Sequence, residues 1–380
     1  MAELVRGADW LPLLKDIDAV VNCAGVLQDS PMDSTAGVHA KGARALFEAC
    51  ERLGIRRVVH LSAIGVERAT PTSFSKTKLE GDRDLQERDL DWVILRPSVV
   101  VGRAAYGGSA LFRGLAALPI LPEFPRSGAL QVVQLDDLVE TVLYFLRPQA
   151  PTRVVLDIAG PERLRLIEIV TAYRRWLGWK APAVFKLPQI LACFIYRAGD
   201  LAGALGWYPP VRSTVEREFQ RGAIGDPARW KELTGIEPAS LRDALAREPA
   251  SVQERWFARL YFLKPLIFIV FALFWVITGI VALGPGWEVG MNLLRAGGIP
   301  EMAPLAITAG ALADIAIGLC IAYRPTARFG LWAALCLSLA YVAIGSILVP
   351  GLWADPLGPM LKIWPVLALN LVALAILDDR

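Results

Sequence analysis

Asp18-Ala19-Val20-Val21-Asn22-Cys23-Ala24-Gly25 is the first of three short segments whose reading decides the fold. The second is Arg57-Val58-Val59-His60-Leu61-Ser62-Ala63-Ile64-Gly65, and the third is Trp92-Val93-Ile94-Leu95-Arg96-Pro97. Each has a β-branched centre too short for a helix, and a stretch of helical periodicity separates it from the next, over 34–53 and then 73–87. A further short helix precedes the first segment at 10–14. Such alternation predicts an α/β domain: a parallel sheet with helices on both faces. Ligands of these sheets bind outside the carboxyl ends of the strands. Here those ends carry Asn22-Cys23-Ala24-Gly25, Ser62-Ala63 and Pro97-Ser98, so three polar or glycine-bearing segments share one rim.

The 380 residues are enough for two or three domains, and 54% of them are apolar. That share exceeds what an ordinary soluble chain carries, and the excess lies after Lys264. A net charge of +3 without a basic and aromatic stripe argues against a nucleic-acid partner. The five cysteines lack paired spacing and have only His39 and His60 beside them. They read as buried thiols in a reducing compartment, with no metal site. No basic-then-apolar leader opens the chain, so the first domain is expected in the cytoplasm.

Four apolar stretches, 265–283, 303–323, 329–350 and 359–377, approach the roughly 20 residues that span about 30 Å of hydrocarbon. Lys362 lies near an end, where its stem can snorkel. The expectation is therefore an all-α, four-helix transmembrane domain over 256–380, with the lipid bilayer as partner. Arg255, Arg259 and Lys264 precede the first stretch, and Arg324 and Arg328 separate the second from the third. The first loop sets Arg295 against Glu288 and Glu301. Positive-inside then places both termini on the cytoplasmic side of the inner membrane. Trp256, Trp287, Trp353 and Trp364 fall near the ends, as an aromatic belt requires. Asp314 is the one ionisable residue deep within a stretch, with Gly310 and Gly318 one turn to either side. A mid-membrane carboxyl is a functional candidate by default. The other reading is a protonated carboxyl that bonds a neighbouring helix, with Asn370 and Thr278 as partners.

The order and spacing of the rim segments, with Phe74-Ser75-Lys76-Thr77-Lys78 between the second and third, resemble the short-chain dehydrogenase/reductase family in its extended or atypical branch. The resemblance implies a Rossmann-type domain over 1–180 that binds NAD or NADP. Asn22 and Gly25 would then line the adenine-ribose side and Ser62 would bond a substrate carbonyl. Lys78 would hold the nicotinamide ribose, and Pro97 and Ser98 would flank the ring. Catalytic assignments fall on Ser62 and Lys78, but the family's catalytic tyrosine is replaced by Phe74, and a phenyl ring cannot donate a proton. Atypical members without that tyrosine exist, among them the accessory subunit of respiratory complex I, which Leu61–Asp82 resembles. Val133–Leu138 is similar to a family landmark in which a strand leads into a helix, with Asp137 expected as its N-cap. Ala159-Gly160-Pro161-Glu162, followed by Leu164 and Glu168, is similar to the C-terminal subdomain of extended members.

The family's opening strand and glycine-rich phosphate loop do not precede Asp18. An incomplete sheet is expected, either because the start is truncated or mis-assigned or because another chain completes it, and cofactor affinity would be weak or nil. Residues 181–255 read as a helical subdomain. Its apolar stretch Phe185–Trp207 is read as a domain helix or as a helix lying on the membrane surface. The charged helices at 215–221 and 227–233 are read as solvated cover. The membrane half resembles the DoxX-like family in layout. Together these imply a membrane-anchored oxidoreductase acting on a lipophilic or quinone-type substrate, or a catalytically silent nucleotide-binding scaffold for a membrane complex.

Overall fold

The computed structural model describes residues 9–31 and 33–378. They form two compact units: residues through Ala204 together with Tyr208–Arg259, and Leu205–Trp207 together with Leu260 onward.

The first unit begins with α1 (Trp10–Leu13), β1 (Ala19–Asn22), a π-helical turn at Ala36–Gly42, and α2 (Ala43–Leu53). Next come β2 (Arg57–Leu61), α3 (Ser73–Gln86), β3 (Asp91–Pro97) and β4 (Val99–Val101). α4 (Gly107–Ala116), β5 (Ile120–Glu123), β6 (Val132–Gln134), α5 (Leu135–Phe145) and β7 (Val154–Ile158) follow. The unit ends with α6 (Leu166–Trp176), β8 (Ala183–Lys186), α7 (Gln189–Ala204), α8 (Ser213–Arg221), α9 (Ala228–Thr234), α10 (Leu241–Arg247) and α11 (Val252–Leu260). Strands β1, β2, β3 and β7 form a parallel sheet in that order, while β4 pairs with β6 and β5 with β8, also in parallel.

Alternation along the strands divides the core between the two faces of the sheet. Val58 and Ile94 pack with Phe47, Cys50 and Leu85 on one side, and Val59, Val93 and Leu95 pack with Phe145, Leu156 and Trp230 on the other. A strand buried on both faces has no solvated side, so its residues read as an uninterrupted apolar run. Two local signals fix α2 and α3. Gly54, at φ 73°, ends α2 in the left-handed conformation. Thr72 caps α3, its hydroxyl accepting from the Ser75 N–H while the Ser75 hydroxyl accepts from the Thr72 N–H.

Two expectations are corrected here. Asp137 is not the N-cap of α5. Gln134 holds that position, and Asp137 lies a turn inside, accepting from the Ala239 N–H at 3.3 Å. Nor are α8 and α9 merely solvated cover. α9 buries Trp230 completely, and the Trp230 indole donates to Thr141 Oγ1 at 2.9 Å. α8 buries Glu218, which accepts from the hydroxyls of Thr72 and Ser75 at the start of α3. Helical period and charge identify an exposed face, but they do not reveal a single anchor on the opposite one.

The second unit contains α12 (Leu263–Leu283), α13 (Trp287–Ala296), α14 (Ala303–Ala322), α15 (Ala327–Leu348) and α16 (Ile363–Ile376). Among the described residues three helices are long and apolar enough to cross a membrane. The fourth expected span, 359–377, is helical only over the 14 residues of α16, about 21 Å at the α-helical rise. Turns occupy the residues just before it, around Pro356, Gly358 and Pro359, types that favour turns over helix. Glycines set the closest approach of α12 to α14. A Cβ on Gly279 would lie 2.4 Å from the Ala311 carbonyl oxygen, and one on Gly318 would lie 2.7 Å from that of Ala272.

Candidate functional site

The carboxyl ends of β1, β2 and β3 gather the rim residues, and Lys78 is central among them. It projects from α3, is 5% exposed, and donates to the carbonyls of Leu61 at 2.8 Å and Ala24 at 3.3 Å. Burial brings its amine down to about 8, opposed by the negative charge of Asp82. An ammonium carries three N–H groups, so one remains for a ligand. Gly25 lies directly in front of this amine. A Cβ there would sit 3.5 Å from Lys78 Nζ and 3.7 Å from His39 Nε2, which is ordinary contact.

The other expected residues take varied positions. Asn22 is committed to the scaffold: its Oδ1 accepts from the Ala24 N–H at 3.1 Å, and its Nδ2 donates to His60 Nδ1 at 3.1 Å. Ser62 is buried with its hydroxyl against the Asp82 carboxylate, yet without a hydrogen bond of normal geometry. Pro97 ends β3 and accepts from the Ile64 N–H at 3.1 Å. Ser98 donates its backbone N–H to Ile158 at 2.9 Å, while its hydroxyl is buried without a partner.

Sequence reasoning gave the two histidines no role, and both prove to be structural to this rim. His39 lies in the π-helical turn, and its Nε2 accepts from the Val26 N–H at 3.0 Å. Its Nδ1 lies 2.9 Å from Thr77 Oγ1, whose proton is given to the Ser73 carbonyl at 2.8 Å. The tautomer follows: Nδ1 carries the proton and Nε2 accepts. Burial, then the charge of Lys78, push His39 down to about 3, so it is neutral. Phe74 packs edge-on against this imidazole, with ring centroids 5.6 Å apart. The position expected to hold a phenol therefore carries an apolar ring on a neutral one.

Behind the rim lies a buried ionic cluster. Asp82 is fully buried, and its Oδ2 accepts from Arg96 Nε at 3.1 Å and Nη2 at 2.9 Å. Arg96 also reaches Glu67 at 3.1 Å. His60 is wholly buried, and burial holds it well below its usual range. Its Nε2 faces Asp82 Oδ1 at 3.6 Å. Burial raises the Asp82 carboxyl, opposed by the Ser62 hydroxyl, Arg96 and Lys78.

The rim fits the nicotinamide-ribose end of a dinucleotide: the spare N–H of Lys78, the unpartnered Ser98 hydroxyl and the open face of Gly25 all belong to the carboxyl ends of the strands. Among the described residues no cluster of three metal-ligating side chains occurs.

In the helical unit Asp314 is buried and accepts from the Tyr341 hydroxyl at 2.9 Å. The expected partners bond elsewhere. Asn370 donates to the Leu331 carbonyl at 3.3 Å, and Thr278 to the Phe274 carbonyl of its own helix at 2.7 Å. Gly310 explains the choice, because a Cβ there would crowd the Tyr341 hydroxyl at 3.2 Å. The two glycines flanking Asp314 thus serve different neighbours: Gly310 admits α15, and Gly318 admits α12.

Comparison with known proteins agrees with this division. Residues 3–112 match the NAD(P)H-binding family model, and residues 272–371 match the DoxX-like family. The chain is similar to a ceramide reductase of Caulobacter vibrioides, with 22% identity over 177 residues, covering 47% of this chain and 55% of the relative. It is also similar to the 40 kDa subunit of mitochondrial NADH-ubiquinone oxidoreductase of Neurospora crassa, with 24% identity over 224 residues, covering 59% and 58%. The chain thus spans a little over half the length of each curated relative. Among solved structures it is similar to a UDP-glucuronic acid 4-epimerase from Bacillus cereus in complex with NAD, at a TM-score of 0.49 and 18% identity, covering 68% of this chain and 79% of that one. The chain joins an NAD(P)-binding, Rossmann-like domain to a DoxX-like helical membrane domain.

Proposed function

We propose that this chain is a membrane-anchored, NAD(P)-binding oxidoreductase homologue whose substrate is lipophilic, a quinone or a lipid. The observation that carries the reading is the Lys78 amine at the rim, held by two carbonyls with one N–H to spare. When bound, the dinucleotide supplies or accepts hydride. Lys78 would hold the ribose hydroxyls, Gly25 would leave room for them, and Ser98 would face the ring end. Attachment to the bilayer supports a substrate that partitions into lipid. So do the names of the two relatives, one a ceramide reductase and the other a subunit of an NADH-ubiquinone oxidoreductase. Arg324 between α14 and α15 and Arg328 in the first turn of α15, with Arg255 and Arg259 before α12, support cytoplasmic termini and placement in the inner membrane.

A second reading, a catalytically silent nucleotide-binding scaffold for a membrane complex, is favoured by one observation. Phe74 is seated against neutral His39, so the pair supplies no acid. Fluorescence titration of the full chain with NADPH and NADH, in lipid nanodiscs, tests both readings. Binding that weakens about ten-fold or more in Lys78→Met supports the assigned rim, the equivalent of about 1.4 kcal/mol. Failure to bind either cofactor refutes both readings. Binding without turnover of a short-chain quinone or a keto-lipid, by the native chain and by Phe74→Tyr, selects the scaffold.

A further inference from the structure

The helices of a soluble unit place large apolar side chains inward and polar ones outward. α2 obeys this rule, burying Leu46 and Phe47 and exposing Arg44, Glu51 and Arg52. α7 inverts it. Its inner face is Ala192, Tyr196, Gly199 and Gly203, small enough that a Cβ on Gly199 would lie 1.8 Å from the Val211 carbonyl oxygen. On a 3.6-residue helix, positions 190, 194 and 201 point about 180° away from that face. They are Ile190, Phe194 and Leu201, at 86%, 70% and 65% exposure. Arg197 flanks this stripe and is also exposed. Contiguous exposed apolar surface of this kind marks a contact with something other than water.

The chain itself indicates what that contact is. α7 ends at Ala204, and the next three residues are built into the helical membrane unit. The Leu205 carbonyl accepts from the Arg324 N–H at 2.9 Å, the Trp207 indole donates to the Ala322 carbonyl at 2.7 Å, and its ring lies 4.7 Å from that of Phe268. Ala322 and Arg324 bound the loop that joins α14 to α15. α7 is thus covalently continuous with residues seated at the ends of the membrane helices. α11, which leads into α12, repeats the pattern with Val252, Trp256 and Leu260 outward, and carries Arg255 and Arg259.

We infer that α7 is an interfacial helix: its Ile190–Phe194–Leu201 stripe inserts among the acyl chains at the cytoplasmic surface of the bilayer, and Arg197 meets anionic headgroups. This assignment goes beyond the proposed function and does not depend on whether the rim binds a cofactor. It makes the soluble unit peripheral to the membrane through its own surface, in addition to the tether of its spans.

The test uses the full chain, with its five cysteines replaced, in nanodiscs of mixed zwitterionic and anionic phospholipid. Single environment-sensitive labels are placed at Phe194→Cys, Leu201→Cys and Leu143→Cys. Leu143 is an exposed apolar residue of α5, a helix that carries Asp136 and Glu140, and serves as the water-exposed comparison. Lipids spin-labelled near the headgroup are expected to quench positions 194 and 201 about two-fold or more, and position 143 very little. Quenching at 194 no greater than at 143 overturns the assignment. So does shielding that occurs only when two chains share a disc, which would identify a second copy as the occupant. Should the cysteine-free chain not fold, a benzophenone amino acid replacing Phe194 in the native chain gives the same decision. Cross-links to lipid support the interfacial helix, and cross-links to protein alone refute it.

Discussion

Gly81→Ala is the sharpest test of how the rim is built. Gly81 lies on the buried face of α3, and a Cβ there would sit 2.4 Å from the backbone carbonyl oxygen of His39. Nothing flexible can yield, so α3 must retreat from the π-helical turn. Overpacking of that kind costs about 1–3 kcal/mol. The His39–Thr77 hydrogen bond spans the same contact at 2.9 Å, and stretching it removes about 1 kcal/mol more. Against this, glycine to alanine within a helix gains up to about 1 kcal/mol. The balance is a loss of about 1–3 kcal/mol, or roughly 2–12 °C in the melting temperature of a unit this size. Lys78 lies three residues earlier on the same helix and retreats with it, so NADPH affinity should fall in parallel. Thermal unfolding in detergent, followed by near-ultraviolet circular dichroism, measures the first effect, and a fluorescence titration measures the second. An ordinary exposed helical glycine gives the opposite sign. A rise in melting temperature in Gly81→Ala would refute the close contact of α3 with His39.

Gly25→Ala makes the complementary case: its Cβ meets only ordinary contacts, so stability should stay within about 0.5 kcal/mol while NADPH affinity falls, and unchanged affinity would remove Gly25 from the site. The folded value of Lys78, about 8, lies below its ordinary 10.5, so the folded state binds fewer protons between those pH values and stability should rise from pH 8 to 10.5. Cofactor affinity that depends on the ammonium should fall through the same lower limit, and Lys78→Met should flatten both profiles. Asp82→Asn leaves Arg96 with only Glu67, and is expected to cost about 3–5 kcal/mol in chemical denaturation, largely recovered when Arg96→Met is added. Gly279→Leu should separate α12 from α14, costing about 1–3 kcal/mol, seen as earlier heat aggregation of the detergent-solubilised chain.

The sheet was legible because its signal is local. Val58-Val59 and Val93-Ile94-Leu95 are buried on both faces, and a doubly buried strand must be continuously apolar, while in Val20-Val21 one residue is buried and the other partly so. The three longest apolar helices were legible for the same reason, since length and composition alone specify them. What the sequence concealed depends on distant approach. His39 looked like an isolated histidine on a helical stretch. Burial and then the charge of Lys78 keep it neutral, and its tautomer is set by Thr77, 38 residues away, on a helix that Gly81 lets approach the His39 carbonyl. Glu218 looked like one charge on a charged helix, until α8 delivered it to the hydroxyls that start α3. Asp314 was visible as an anomaly, but its partner was not. Tyr341 lies near the middle of the apolar stretch 329–350 with nothing in the sequence to mark it, until Gly310 is seen to leave room for its hydroxyl.

The same long-range contacts decide which protons the rim can offer. With Phe74 in place of a phenol, a histidine is the usual substitute for delivering a proton near neutral pH. Neither histidine can serve. His39 has both nitrogens engaged and is held neutral by burial, and His60 is wholly buried between Asn22 and Asp82. The Thr77 hydroxyl donates to a backbone carbonyl and belongs to the helix. The cysteines are not uniformly buried as expected: Cys50 is, whereas Cys193, Cys336 and Cys23, beside Asn22, are exposed; even so, partial burial raises the Cys23 thiol above its ordinary value, and the charge of Lys78 only partly offsets this. Lys78 is different: it titrates near 8 and keeps an uncommitted N–H. On the oxidoreductase reading proposed above, Lys78 is therefore the titratable side chain placed to supply a proton, and turnover limited by it would fall as pH rises through about 8, whereas turnover limited by solvent would not.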